Sequence, residues 1–61
     1  LSINLSTAEQ LETVPHIGPF RAIQIVINRR ENGNFSSIGD LKRVRGIGPR
    51  TVQKVAPYLT L

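Results

Sequence analysis

Apolar residues recur along this chain at helical spacing, and no segment sustains the strict alternation of a half-buried strand. Ala8, Leu11 and Val14 fall every three residues and make one stripe of a short helix. Thr7 stands before them as an N-cap with Gln10 as its capping-box partner, which predicts a helix of about two turns. Pro15-His16-Ile17-Gly18 reads as a tight turn, and Pro19 as the first position of a second helix, where a missing amide hydrogen costs little. From Pro19 to about Asn32, Phe20, Ala22, Ile23, Val26 and Ile27 cover one broad arc, with Arg21, Gln24 and Asn28 on another. This helix is expected to be the hydrophobic spine. Asn32-Gly33-Asn34 ends it, with Gly33 expected in the left-handed conformation.

The pattern then returns at an offset of 30 residues. Asn4, Ser6, Leu11, Val14, Ile17, Gly18 and Pro19 reappear as Asn34, Ser36, Leu41, Val44, Ile47, Gly48 and Pro49. Thr7 with Ser37, Gln10 with Asp40 and Ile25 with Val55 are alike in kind, so the register reads as a duplication. Ser37 and Asp40 should therefore be the cap and the acidic first-turn residue of a third helix with the stripe Ile38, Leu41 and Val44. Gly39 weakens that helix by roughly 0.5–1 kcal/mol relative to Ala. Arg45-Gly46-Ile47-Gly48 is the second turn, and the last helix, Pro49 to about Ala56, buries Val52 and Val55. Pro57 stops its hydrogen bonding before Tyr58 and Leu59 fold back, and Tyr58 and Phe35 are expected in the core at the seams between units. The predicted fold is all-α: two helix, hairpin, helix units, four to five short helices in a compact SAM-like bundle with pseudo-two-fold symmetry. One domain, 1–61, is expected, with units at about 4–32 and 34–61.

Composition narrows the functions open to such a fold. A chain of 61 residues buries only about 60% of its unfolded surface, which argues against a deep enzyme pocket walled by two subdomains. Without Cys there is neither a disulfide framework nor a thiolate zinc site. The longest apolar run, Ile25-Val26-Ile27, excludes a membrane span or signal-peptide core within this segment. Because it begins at Leu1, the chain is expected to be an excised domain or a processed product. The net charge is +4 and favours polyanionic partners. Most of it lies in the second half, where Lys42, Arg43, Arg45, Arg50 and Lys54 face only Glu31 and Asp40.

The candidate chemistry sits in the turns. Gly46 and Gly48 are expected to take backbone conformations that a side chain would obstruct, with Ile47 pointing inward to fix the turn. The amides of Gly48, Arg50 and Thr51 lack intrahelical partners at a helix start whose dipole adds partial positive charge, a ready seat for a phosphate oxygen. Arg45, Arg50 and Lys54 surround that seat, and the Thr51 hydroxyl supplies a further donor. Such a site reads charge and spacing along a sugar-phosphate strand, not base identity. It is not a dinucleotide-binding fingerprint, since Thr51 replaces the third glycine and no strand precedes the turn. The plainer alternative is a helix C-cap glycine followed by an N-cap glycine. Recurrence of Ile-Gly-Pro in both halves, with cations around the second copy, favours phosphate.

In the first turn the corresponding candidates are His16, Gly18 and Arg21. Arg29 and Arg30 read as dipole-complementing residues covering apolar surface, Lys42 and Arg43 as solvated side chains, and Glu9 with Glu12 as a solvated face. No catalytic constellation and no metal-ligand set assembles around the single histidine.

Val44-Arg45-Gly46-Ile47-Gly48-Pro49-Arg50-Thr51-Val52 resembles the signature of the helix-hairpin-helix DNA-binding motif, and Val14-Pro15-His16-Ile17-Gly18-Pro19-Phe20-Arg21-Ala22 is a second copy. The wider frame is similar to the C-terminal domain of the competence protein ComEA family. That frame comprises Ile3-Asn4, Thr7 to Leu11, Ile23 to Arg29, Asn32-Gly33, Phe35, Ser37, Asp40-Leu41 and Pro57-Tyr58-Leu59. The resemblance implies a non-catalytic module that binds double-stranded DNA without sequence preference, in an envelope-bound receptor for DNA uptake. It also implies that both hairpins approach the minor groove, each gripping one strand's backbone. His16 departs from the pattern, standing where the first hairpin glycine belongs. It reads as a tolerated turn residue or as a phosphate contact strengthened by protonation; a metal or catalytic role lacks partners. Competing readings are a protein-interaction or structural module with degenerate hairpins, and an accessory DNA-binding domain of a repair nuclease or ligase. No cofactor is expected, although some relatives hold a monovalent cation on hairpin carbonyls. The isolated domain is expected to be a monomer without membrane contact. Its compartment would be the cell envelope, periplasm or extracellular face for a competence receptor, and the cytoplasm otherwise.

Overall fold

In the computed structural model, which describes residues 1–61, the first helix, α1, runs Ala8–Leu11 behind the cap that its residues predict. The Gln10 amide donates to Thr7 Oγ1 at 3.1 Å, and the Thr7 amide donates to Gln10 Oε1 at 2.9 Å. The helix closes after about one turn, not two. Thr13 and Val14 donate to Gln10 O and Leu11 O, three residues back, which tightens the chain into the first hairpin. Helix α2 spans Gly18–Asn32, a 3₁₀ helix spans Ile38–Arg43, α3 spans Pro49–Val55, and a 3₁₀ turn follows at Ala56–Tyr58. No strand forms; an isolated parallel bridge joins Ser2 to Thr60.

The duplication is visible bond by bond. Val14 donates to Leu11 O and Ile17 to Val14 O, both at 3.1 Å; Val44 donates to Leu41 O and Ile47 to Val44 O, both at 3.0 Å. His16 and Gly46, at equivalent positions, both take positive φ, 74° and 89°. Leu11, Val14, Ile17 and Ile25 meet their counterparts Leu41, Val44, Ile47 and Val55 in one core, completed by Ile3, Ala22, Phe35 and Leu59. Neither unit has enough apolar surface to bury its stripe alone, so the two share it.

Besides the shortened α1, the fold departs from the sequence reading in four places. The second unit opens with a 3₁₀ helix in which Ser37 makes no side-chain cap; instead Asp40 Oδ2 accepts the Ser36 amide at 2.9 Å. Gly39 lowers the helical preference there, and short segments without a cap settle into the tighter winding. Gly33 has positive φ but extended ψ, 85° and 174°, a region essentially reserved for glycine, not the left-handed helical one. The spine of α2 is narrower than its apolar arc: Ala22 and Ile25 are buried, whereas Phe20, Ile23 and Ile27 are 57%, 50% and 41% exposed. A core of this size covers only one stripe of the helix. Phe35 is buried as expected, but Tyr58 is exposed, because the 3₁₀ turn at Pro57 carries its ring outward while Leu59 turns in.

Candidate nucleic-acid interface

Two glycines of the second hairpin meet different demands. Gly46 has φ +89°, and a Cβ there would lie 3.2 Å from Phe20 Cε2 and 3.9 Å from Arg21 Cγ, so angle and space both disfavour a side chain. Gly48 has φ −103° and ψ −177°, extended backbone open to any residue, and an added Cβ would meet nothing within 4 Å. The expectation of two side-chain-excluding conformations therefore holds for Gly46 alone. Between them Ile47 is buried, and its amide bond to Val44 O pins the hairpin to the core.

The helix start beyond this hairpin leaves its donors open. Gly48 is the N-cap of α3 and offers no side-chain oxygen, and Pro49 has no amide hydrogen. The first bond across the junction is Val52 N–H to Gly48 O at 3.0 Å, and the amides of Gly48, Arg50 and Thr51 donate to no protein acceptor. Gly48 and Arg50 are exposed and Thr51 is half-buried. Arg45 in the turn, and Arg50 and Lys54 four residues apart on one face of α3, are also exposed.

The arginines that bond within the protein are others. Arg43, expected to be solvated, is a brace: Nε donates to Asn28 Oδ1 and Nη2 to Gly33 O, both at 2.6 Å, and its guanidinium lies 4.3 Å from the Phe35 ring centroid. Arg29 Nη1 donates to Ile3 O at 3.0 Å, tying the end of α2 to the first segment. Arg30 and Lys42 are exposed.

The first hairpin keeps its shape around His16, which is exposed at positive φ, a conformation histidine tolerates better than most side chains. Gly18 opens α2 at φ +66°, unlike its counterpart Gly48, and the amides of Gly18 and Phe20 have no protein acceptor. Arg21 serves the other hairpin: it is half-buried, and its Nε donates to Gly46 O at 2.9 Å. The repeat could not disclose this bond, because the residue equivalent to Arg21 is Thr51, which has no guanidinium.

A family model described as a helix-hairpin-helix motif matches residues 1–60. The chain belongs to the helix-hairpin-helix family. It is 36% identical over 61 residues to ComE operon protein 1 of Bacillus subtilis (strain 168), a match covering 100% of this chain and 30% of that protein. It is 38% identical over 55 residues to an uncharacterized protein of Haemophilus influenzae, covering 88% of this chain and 49% of that one. The chain thus spans half or less of the length of these relatives. The likeness to ComEA proteins read from the residues holds across this whole helix-hairpin-helix chain. None of its helices is long and apolar enough to cross a membrane.

Proposed function

We propose that this helix-hairpin-helix chain binds double-stranded DNA without sequence preference, through the phosphate backbone, as a non-catalytic module in DNA uptake. One observation carries the reading. At the second hairpin, open amides lie beside a glycine whose missing side chain the fold does not require, so the space at Gly48 is free for a phosphate oxygen. Gly46 and Ile47 set the hairpin, the amides of Gly48, Arg50 and Thr51 receive the anion, and Arg45, Arg50 and Lys54 supply the field. His16 and Gly18 form the weaker first grip, so that the units at about 4–32 and 34–61 each hold one strand. Family membership and the likeness to ComE operon protein 1 support the DNA-uptake setting.

The test is a duplex titration across salt concentrations. If roughly three to four phosphates are neutralised, log affinity falls against log salt with a slope of about −3, alike for duplexes of different sequence. A flat salt response would overturn the proposal.

A further inference from the structure

We infer that Arg21, a residue of the first unit, is a positioning residue for the second hairpin, holding the Gly46-Ile47 peptide in the orientation that presents the neighbouring amides. The peptide is clamped at both ends. Its N–H, belonging to Ile47, donates to Val44 O at 3.0 Å, and its carbonyl, belonging to Gly46, accepts Arg21 Nε at 2.9 Å from the other repeat. The Phe20 ring closes the space beside Gly46, 3.2 Å from where a Cβ would sit. Glycine has a wider choice of alternative conformations than any other residue type, and Gly46 sits in one of them at φ +89°. The brace from Phe20 and Arg21 removes that choice before any ligand arrives, and ordering done in advance is not charged against binding.

The first hairpin has only half of this arrangement. The His16-Ile17 peptide donates its N–H to Val14 O at 3.1 Å, and Thr51, at the position equivalent to Arg21, does not brace its carbonyl. The two hairpins thus differ in stiffness as well as in charge, and the stiffer one depends on a side chain from the opposite unit. The consequence for affinity rests on the DNA-binding reading; the brace itself does not.

Three substitutions separate the brace from simple charge. Arg21→Gln keeps an N–H donor at the position of Nε and removes the cation, Arg21→Lys keeps the cation and moves the donor, and Arg21→Met removes both. The structural readout is amide hydrogen exchange of Ile47 in the free protein, with Ile17 as the internal reference. Arg21→Met should speed Ile47 exchange about tenfold relative to Ile17 and weaken duplex binding about tenfold, whereas Arg21→Gln holds both within about threefold of the parent. Unchanged Ile47 exchange in Arg21→Met would overturn the inference. So would parental affinity in Arg21→Lys with Arg21→Gln as weak as Arg21→Met, since Arg21 would then act only as a cation. Failure of the parent to bind duplex would sink the DNA reading alone, because the exchange measurement needs no DNA.

Discussion

Gly46 and Gly48 are separated by one residue, yet the fold constrains only the first of them. At Gly46 the constraint is internal: positive φ and the Phe20 ring both oppose a Cβ, so Gly46→Ala should cost roughly 1–3 kcal/mol of stability. At Gly48 the fold imposes nothing, and the extended backbone before α3 is the conformation an N-cap prefers. Gly48→Ser should therefore leave stability unchanged or raise it by about 0.5 kcal/mol, since serine caps better than glycine and orders the unfolded chain. Its hydroxyl would accept from the Arg50 or Thr51 amide, so if the proposed phosphate contact is right, duplex affinity should fall about tenfold. Thermal unfolding and fluorescence anisotropy on one preparation decide the matter. A Gly48→Ser protein that binds DNA like its parent would show that those amides are not the contact. The sequence displayed both glycines but not their difference, which depends on the neighbours that Phe20 and Arg21 bring to only one of them.

Among the elements, the two first helices show how far local patterns can be trusted. Thr7 and Gln10 form their reciprocal cap because every partner lies within four residues, and such bonds are legible in any sequence that contains the motif. Ser37 and Asp40 repeat the spacing but not the outcome: in the 3₁₀ winding the shorter carboxylate meets the Ser36 amide. That bond is the main reason the Asp40 carboxyl sits below the usual carboxylate range, with smaller contributions from Ser37 and the Arg43 charge and a partial opposing effect of burial. A carboxylate with a lower pKa folded than unfolded stabilises fully above its unfolded value and ceases to do so as pH falls through the folded one. The thermal midpoints of the parent and Asp40→Asn should accordingly differ at neutral pH and converge as pH falls below the ordinary aspartate value of about 3.9 and on through the lower folded one. A gap between them that stays constant over that fall would show that the contribution of Asp40 is not carried by its charge.

For the whole molecule, the bonds that join the repeats are those with no counterpart at the 30-residue offset. Asn4 exchanges bonds with Phe35 across the seam, at 3.1 and 2.8 Å, while Asn34 is exposed. Arg43 braces Asn28 and Gly33, while its counterpart Thr13 merely bonds to Gln10 O. Periodicity exposes what the units share and is blind to what makes them different, so the shared stripe of Leu11, Val14, Leu41 and Val44 and the two turns were readable, and the side-chain bonds across the seam were not. The seam is completed where the first and last segments pair: Thr60 donates to Leu1 O at 2.7 Å, Ile3 donates to Thr60 O at 2.9 Å, and Leu59 is buried beside them. A chain this short holds a net stability of only about 5 kcal/mol, so losing one buried leucine of the closure is a large fraction of it. Leu59→Ala should cost about 2–4 kcal/mol and lower the unfolding midpoint by roughly 10–25 °C, by cavity formation in the shared core. Leu61→Ala, two residues on and half exposed, should stay within about 0.5 kcal/mol of the parent. Equal effects of the two substitutions in thermal unfolding would mean that the last segment adds length without closing the core. The two hairpins would then owe their relative placement to the rest of the shared core and to the cross-unit bonds of Asn4, Arg21, Asn28 and Arg43.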